Sequence, residues 1–83
     1  MRSMAAKEFE SPNWNPLEAI AGPAVCREFM WMWREQGVEF YKHIGTRRYL
    51  LVDSEGRCYR RGPAGLELAD TKSELDQVMG RAT

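Results

Sequence analysis

The sequence predicts a small α+β domain with one antiparallel sheet of three to four strands, connected as a meander. An N-terminal and a C-terminal helix are expected to pack on one face of this sheet. Two observations lead to the prediction: the spacing of apolar residues changes from helical to alternating at Val38, and turn residues then divide the chain into segments of strand length. With 83 residues, of which 43% are hydrophobic and 29% charged, the chain has the size and composition of a single folded domain.

The N-terminal region carries a loop signal before the first helix. We divide the chain into a flexible N-terminal segment, one domain and a short C-terminal tail, which span residues 1–11, 12–80 and 81–83. Asn15 and Pro16 have the chemistry of a helix N-cap and of the first helical position. A short helical turn is therefore expected over Leu17–Ala21.

A second helix is predicted from Pro23 to Gln36, with Gly37 as the left-handed residue that follows its end. It contains five large apolar residues in a row, Phe-Met-Trp-Met-Trp, at positions 29–33. Because a helix turns by about 100° per residue, these side chains cannot all face one core. The side expected to face the core consists of Val25, Cys26, Phe29, Met32, Trp33 and Gln36.

Trp31 falls on the opposite side of this predicted helix, between Arg27 and Arg34. An exposed tryptophan flanked by arginines is typical of a protein interface. These three residues are therefore candidates for binding a partner, or a second copy of the chain in a homodimer. The alternative is that the N-terminal segment folds back and covers Trp31 with Trp14 or Phe9.

The middle of the chain predicts a meander. Strands are expected at residues 38–44, 47–53 and 57–61, with a short edge strand at 66–69. Gly45 and Thr46 form the first turn, and Gly56 closes a three-residue loop as a left-handed residue. Thr71 and Glu74 are expected to form a capping box at the start of a C-terminal helix that ends at Gly80.

The predicted strand register divides the sheet into two unlike faces. Phe40 is paired with Val52, and Leu51 with Tyr59, because these alignments bring apolar side chains together. The face suited to the helices consists of Val38, Phe40, Ile44, Leu50, Val52 and Cys58. The solvent-facing side carries Glu39, Tyr41, His43, Tyr49, Leu51, Asp53, Arg57, Tyr59 and Arg61.

The solvent-facing side is the main candidate for a binding site. Its candidate residues are Tyr41, His43, Tyr49, Arg57, Tyr59 and Arg61. Tyrosine and arginine are frequent anchors of protein interfaces, so this face predicts a small non-enzymatic protein-binding or regulatory module. The alternative is that the tyrosines form ordinary cross-strand pairs, since tyrosine has a high strand propensity.

Charge gives a further alternative. The chain has 12 basic and 12 acidic residues and no net charge, whereas a dedicated nucleic-acid binder usually has a basic excess. Residues 38–61 nevertheless hold six basic and three acidic residues. A nucleic-acid or anion-binding module that uses the basic region 42–61 is therefore the second hypothesis, with tyrosines stacking on single-stranded bases.

The sequence contains no motif that indicates catalysis. We find no paired carboxylates, nucleophile motif or phosphate-binding glycine loop, and the single His43 cannot form a metal site alone. We therefore predict no enzymatic activity, no cofactor and no metal. Cys26 and Cys58 lack a paired spacing and are expected as buried, reduced thiols, and no apolar stretch suits a signal peptide or a membrane span. The expectation is a cytoplasmic protein without membrane association.

Overall fold

The computed structural model describes residues 11–81, which contain three helices and five strands. In chain order they are α1 (Asn15–Ala21), α2 (Pro23–Cys26), β1 (Phe29–Glu35), β2 (Val38–His43), β3 (Tyr49–Asp53), β4 (Cys58–Gly62), β5 (Gly65–Ala69) and α3 (Thr71–Val78). The strands form one antiparallel sheet in the order β1-β2-β3-β4-β5, so each strand pairs with its neighbour in the sequence.

The predicted α+β class and the meander are confirmed, with five strands instead of three or four. The expected edge strand near residues 66–69 is present as β5. The predicted flexible segment lies outside the described residues except for Ser11, as do residues 82–83 of the tail. Between residues 11 and 81, no helix is long and apolar enough to cross a membrane.

The largest difference from the prediction is in the second helix, because α2 is a single turn and the run Phe-Met-Trp-Met-Trp lies in β1. Gln36 and Gly37 have φ angles of 52° and 78° and connect the paired residues Glu35 and Val38. Two consecutive left-handed residues are the pattern of a type I′ turn, which suits the twist of antiparallel strands. The prediction of a helix through Gln36 is therefore wrong: the glycine that suggested a helix end belongs to a hairpin.

A β-bulge in β1 directs its two tryptophans to opposite faces of the sheet. Trp31 pairs with Tyr41, and Trp33 pairs with the next residue of β2, Phe40, so that Met32 is the extra residue of the bulge. In a regular strand Trp31 and Trp33 would lie on the same face. Both faces of β1 therefore need apolar side chains, which explains the uninterrupted apolar run.

The sheet has an apolar cluster on each face. The helices pack on the first, which consists of Leu17, Phe29, Tyr41, Leu50, Val52, Cys58, Leu75 and Val78. The second consists of Val38, Phe40 and Leu51, with Met32, Trp33, Tyr59 and Leu66 packed against them. None of the helical residues that the structure describes belongs to the second cluster. We call the first side the helix-covered face and the second side the open face.

The pairing of β2 with β3 is one residue out of the predicted register. Phe40 pairs with Leu51 and Tyr41 with Leu50, whereas the predicted pairing of Leu51 with Tyr59 is confirmed. A shift of one residue moves every side chain of a strand to the other face relative to its neighbour. Tyr41 therefore lies on the helix-covered face, and the predicted division of the two faces is wrong.

The C-terminal helix α3 forms as predicted, with its cap one residue earlier. The N-cap is Asp70, whose carboxylate accepts a hydrogen bond from the Ser73 amide at 2.9 Å. Thr71 is consequently the first residue of the helix and not its cap. Glu74, which the predicted capping box would direct to the helix terminus, instead pairs with Arg60 of β4 at 2.9 Å.

Candidate binding site on the open sheet face

The open face exposes large apolar side chains from several strands. Paired residues of neighbouring strands lie on the same face, so the ladders assign Met30, Phe40, Lys42, Tyr49, Leu51, Tyr59, Arg61, Leu66 and Leu68 to this side. Of the four large apolar side chains that are strongly exposed in residues 11–81, three belong to this face: Met30 at 42%, Tyr49 at 36% and Leu68 at 68%. Met30 lies on edge strand β1 and Leu68 on the opposite edge strand β5, with Tyr49 on β3 between them, so these exposed side chains are spread across the face.

The floor of this face is a stack of aromatic rings. Trp33 lies parallel to Phe40, with ring centroids 4.9 Å apart and an interplanar angle of 19°. Its other neighbour, Tyr49, is tilted by 53° at 5.8 Å. Phe40 is completely buried and Leu51 nearly so, whereas Trp33 is half-buried. The parts of the cluster that a ligand can reach are therefore Trp33 and Tyr49, whereas Phe40 and Leu51 are buried.

A groove opens in this face where β3 and β4 separate. The ladder between them holds two residue pairs, Leu51 with Tyr59 and Val52 with Cys58, although both strands extend beyond it. The groove has a volume of about 420 Å³ and is lined by Trp33, Tyr49, Leu51, Tyr59, Arg60, Arg61 and Glu74. This volume falls within the range of about 300–1,000 Å³ that is typical of ligand sites.

Two cations lie against the aromatic rings of this face. The guanidinium of Arg61 is 5.4 Å from the ring centroid of Phe40, and the ammonium of Lys42 is 5.7 Å from that of Tyr49. Within the described part of the chain, neither cation forms a salt bridge. Arg61 lines the groove and Lys42 lies beside its lining residue Tyr49, so the open face offers two cations to a ligand.

Asp53 fixes the position of Tyr59 at the end of the groove. One carboxylate oxygen accepts from the Tyr59 hydroxyl at 2.8 Å and from Arg57 Nε at 2.9 Å, and the other accepts from the backbone N–H groups of Glu55 and Arg57, both at 2.9 Å. Burial by itself raises the pKa of Asp53. The four hydrogen bonds have the opposite and larger combined effect, so the pKa is lowered to about 2. The ionised carboxylate therefore holds both Tyr59 and Arg57. The Arg57 side chain thus stabilises the turn between β3 and β4, and its charge is already paired with Asp53.

The low pKa of Asp53 predicts a specific pH dependence. It lies at about 2 in the folded state against 3.8 for the free side chain, so the ionised group stabilises the fold above about pH 4 and this contribution is lost as the pH falls towards 2. The difference between the two pKa values corresponds to a contribution of about 2 kcal/mol. Urea unfolding at a series of pH values should show Asp53→Asn less stable than the wild type at neutral pH, with the difference narrowing between about pH 4 and 2. A difference that stays constant over this range would contradict the assignment. For Tyr59→Phe, the stability difference from the wild type should change less with pH, because this variant removes only one of the four donors to Asp53.

Two predicted site residues, Tyr41 and His43, lie on the other face. Tyr41 is completely buried, stacks on Trp14 at 5.4 Å and donates its hydroxyl to the Asn13 carbonyl at 2.6 Å. Burial raises its pKa above the usual range, so the hydroxyl remains a donor. His43 is also buried, with Thr46 N–H donating to Nδ1 and Nε2 lying 3.0 Å from the Glu28 carboxylate. Their predicted exposure on a recognition face is therefore wrong.

The predicted helical patch around Trp31 is also absent. Trp31 is half-buried on the helix-covered face and donates from Nε1 to the buried Glu39 carboxylate at 2.7 Å. Arg34 donates to the same carboxylate at 2.7 Å and to the Ser11 carbonyl at 3.1 Å, whereas Arg27 lies exposed in the turn before β1. The chain itself thus covers much of Trp31, as in the fold-back alternative.

The fold-back takes a different form from the one expected. Trp14 stacks on Tyr41, the cross-strand partner of Trp31, while Asn13 donates to Glu39 at 3.3 Å. Phe9, the other residue proposed to cover Trp31, lies outside the described residues.

The structure brings Tyr49, Tyr59 and Arg61 together as predicted candidates and adds residues that sequence analysis did not select. The most important addition is Trp33, which the helical interpretation placed in the core. Glu74 was assigned to a helix cap, and Lys42 was predicted only as part of the basic region 42–61. The signal that could have identified Trp33 is the five-residue apolar run, whose length suits a strand with apolar contacts on both sides.

Both cysteine thiols have a raised pKa. Burial raises the pKa of Cys58 to about 11, so its thiol stays protonated at neutral pH. Burial also raises the pKa of Cys26, and the nearby Glu18 carboxylate adds to the increase. Over residues 11–81, no group of three or more histidine, cysteine or acidic side chains is placed to hold a metal ion.

A comparison of the chain with protein-family models, with curated proteins and with solved structures finds no match. The open face with its groove is the main candidate for a binding surface among the described residues.

Proposed function

We propose that this protein is a small non-enzymatic binding module that holds a segment of a partner protein on its open face. The observation that carries the proposal is the aromatic groove between β3 and β4, lined by Trp33, Tyr49 and Tyr59 with Leu51 at its floor. Tryptophan, tyrosine and arginine dominate the energetically important residues of protein interfaces. Here all three types border one groove, which opens on the open face and also reaches Glu74 of α3.

The organisation of the groove favours binding over catalysis. Its carboxylate, Glu74, is nearly buried and neutralised by Arg60 at 2.9 Å, and Tyr59 is committed to Asp53. These groups are held in place by partners within the chain. Such an arrangement supports a rigid surface with fixed side chains, which lowers the entropic cost of association.

A protein partner is favoured over nucleic acid by charge and ring geometry. The chain has no net charge, whereas a dedicated nucleic-acid binder usually has a basic excess. Trp33 already stacks on Phe40 and is tilted against Tyr49, so successive bases would find no series of free parallel rings. Nucleic-acid binding through the basic region 42–61 remains the second hypothesis, and the cations Lys42 and Arg61 are the observation in its favour.

Selection from an unbiased peptide-display library tests the proposed function. Peptides selected on the folded protein should bind in solution, and their addition should shift NMR signals of Trp33, Tyr49 and Tyr59. Tyr49→Ala should weaken binding about tenfold or more, as loss of an interface anchor does. Lys72→Ala is the matched control, because the Lys72 side chain on α3 is 86% exposed and does not line the groove.

Two results would contradict the proposal. Shifts confined to residues outside the groove would place binding elsewhere on the molecule. Failure to select any peptide, together with binding of a single-stranded oligonucleotide that weakens steeply between about 50 and 200 mM salt, would favour the nucleic-acid hypothesis. Cytoplasmic location and a homodimer stay predictions, and light scattering over a range of concentrations tests the dimer.

A further inference from the structure

We infer that the partner segment is an extended acidic peptide with one large apolar side chain, which enters the groove while neighbouring carboxylates bind Arg61 and Lys42. The inference rests on the proposed function and adds the chemistry of the partner.

The charge of the groove selects an acidic partner. Of its charged lining residues, Arg60 and Glu74 neutralise each other, which leaves Arg61 as the net cation. Lys42 adds a second cation, whose ammonium lies over the ring of Tyr49, a residue that lines the groove. The acidic side chain Asp53 is already bound by Arg57 and Tyr59. Complementary carboxylates on the partner would therefore meet two cations without salt-bridge partners in the described chain.

The rings of Phe40 and Tyr49 hold these cations in position before binding. Arg61 and Lys42 lie 5.4 and 5.7 Å from the respective ring centroids. A long side chain that is already ordered loses less conformational entropy when it forms an ion pair. The same contacts argue against a cationic ligand: an aromatic groove attracts quaternary ammonium groups, but here the rings have resident cations that would repel one.

A second depression indicates an extended segment and not a single small molecule. It has a volume of about 260 Å³ and is lined by Glu35, Gln36, Arg61, Gly62, Gly65 and Leu66. Arg61 borders both this depression and the aromatic groove. A carboxylate of the partner peptide bound to Arg61 would thus lie between two cavities. Each cavity could accept a neighbouring part of the same peptide. Glu35, which also lines this depression, disfavours a second acidic residue there, so the remaining acidic residues of the peptide are expected near Lys42.

Three peptides with the same central tryptophan test this chemistry, with flanking residues of glutamate, glutamine or lysine. The glutamate peptide should bind the wild-type protein roughly twofold to thirtyfold more tightly than the glutamine peptide, which corresponds to two partly exposed ion pairs. The lysine peptide should bind more weakly than both. Isothermal titration and fluorescence anisotropy measure these affinities, with a single-stranded oligonucleotide as the fourth ligand.

Charge reversal then assigns the effect to the groove. Arg61→Glu should reverse the order of the glutamate and lysine peptides, and Arg61→Gln should reduce the difference between them. The matched control is Arg27→Glu, an equal charge change at an exposed residue that does not line the groove, and it should preserve the order. Circular dichroism establishes that each variant is folded before its affinity is compared.

The outcomes separate the inference from the proposed function. If the three peptides bind equally well and Arg61→Glu changes nothing, the acidic partner is wrong, while library peptides that shift the groove signals would still support a protein-binding module. If none of the peptides binds, the inference is overturned, and binding of the oligonucleotide instead would overturn the proposed function as well.

Discussion

Replacement of Glu39 by alanine is expected to destabilise the domain by about 3 kcal/mol or more. Glu39 is 3% exposed, and its carboxylate accepts hydrogen bonds from Trp31, Arg34 and Asn13. Removal of one member of a buried ion pair costs about 3–5 kcal/mol because the other charge and its donors lose their partner. The Arg34 side chain is 32% exposed and can regain some hydration, so the lower part of this range is expected. Since small domains have a total stability of about 5–15 kcal/mol, the loss is a large share.

Urea unfolding of a short series of variants measures this effect. Glu39→Gln keeps the shape and one acceptor oxygen, and should cost less than Glu39→Ala. Trp31→Phe removes the indole donor together with part of the ring, and the double variant with Glu39→Ala should be less destabilised than the sum of the two single changes, because the Trp31–Glu39 hydrogen bond is lost in each of them. Additive effects would contradict a direct Trp31–Glu39 contribution, and a loss below about 1 kcal/mol for Glu39→Ala would contradict the network as a whole.

The parts of the fold that could be predicted are those with local signals. Gly56 was expected as the left-handed residue of a three-residue hairpin loop, and its φ of 82° confirms it. The helix after residue 70 was identified from its capping chemistry, although the cap is Asp70 and not Thr71. In both cases the residues that determine the structure lie within a few positions of each other.

The run Phe-Met-Trp-Met-Trp could not be assigned in the same way. Five consecutive apolar residues fit neither the alternation of a strand with one buried face nor the stripe of an amphipathic helix. The sheet has an apolar cluster on each face, and the bulge at Met32 interrupts the alternation further. Gly37 does not distinguish a helix from a strand in this segment, because a left-handed glycine suits both a helix end and a type I′ hairpin.

The candidate site was predicted only in part for a related reason. β2 carries apolar side chains on both faces, with Phe40 on one and Tyr41 on the other, so its pattern does not determine the register with β3. The error of one residue moved Tyr41 and His43 to the solvent side in the prediction. Tyr49 and Tyr59 were placed correctly on one face because the β3–β4 register depends on the well-defined loop at Gly56.

Comparison of Tyr41 with Tyr49 gives the second large expected effect. Tyr41→Ala should destabilise the domain by about 3–5 kcal/mol, the usual cost of truncating a fully buried aromatic residue. Its ring is stacked on Trp14 and its hydroxyl is bound to the Asn13 carbonyl, so Tyr41→Phe should cost about 1 kcal/mol through the lost hydrogen bond. Tyr49→Ala removes a side chain that is 36% exposed at the edge of the groove, and should cost about 1 kcal/mol or less.

The same variants separate a structural tyrosine from a binding tyrosine when stability and affinity are measured together. Tyr41→Phe remains folded and changes the helix-covered face, so it should leave peptide affinity unchanged, whereas Tyr49→Ala should weaken affinity with little loss of stability. Stability and peptide affinity would then change independently of each other, because Tyr41 and Tyr49 lie on opposite faces of one sheet. A loss of affinity in Tyr41→Phe equal to that in Tyr49→Ala would mean that binding depends on the helix-covered face. A loss of several kcal/mol in Tyr49→Ala would mean that the groove is part of the folding core and not a surface available to a partner.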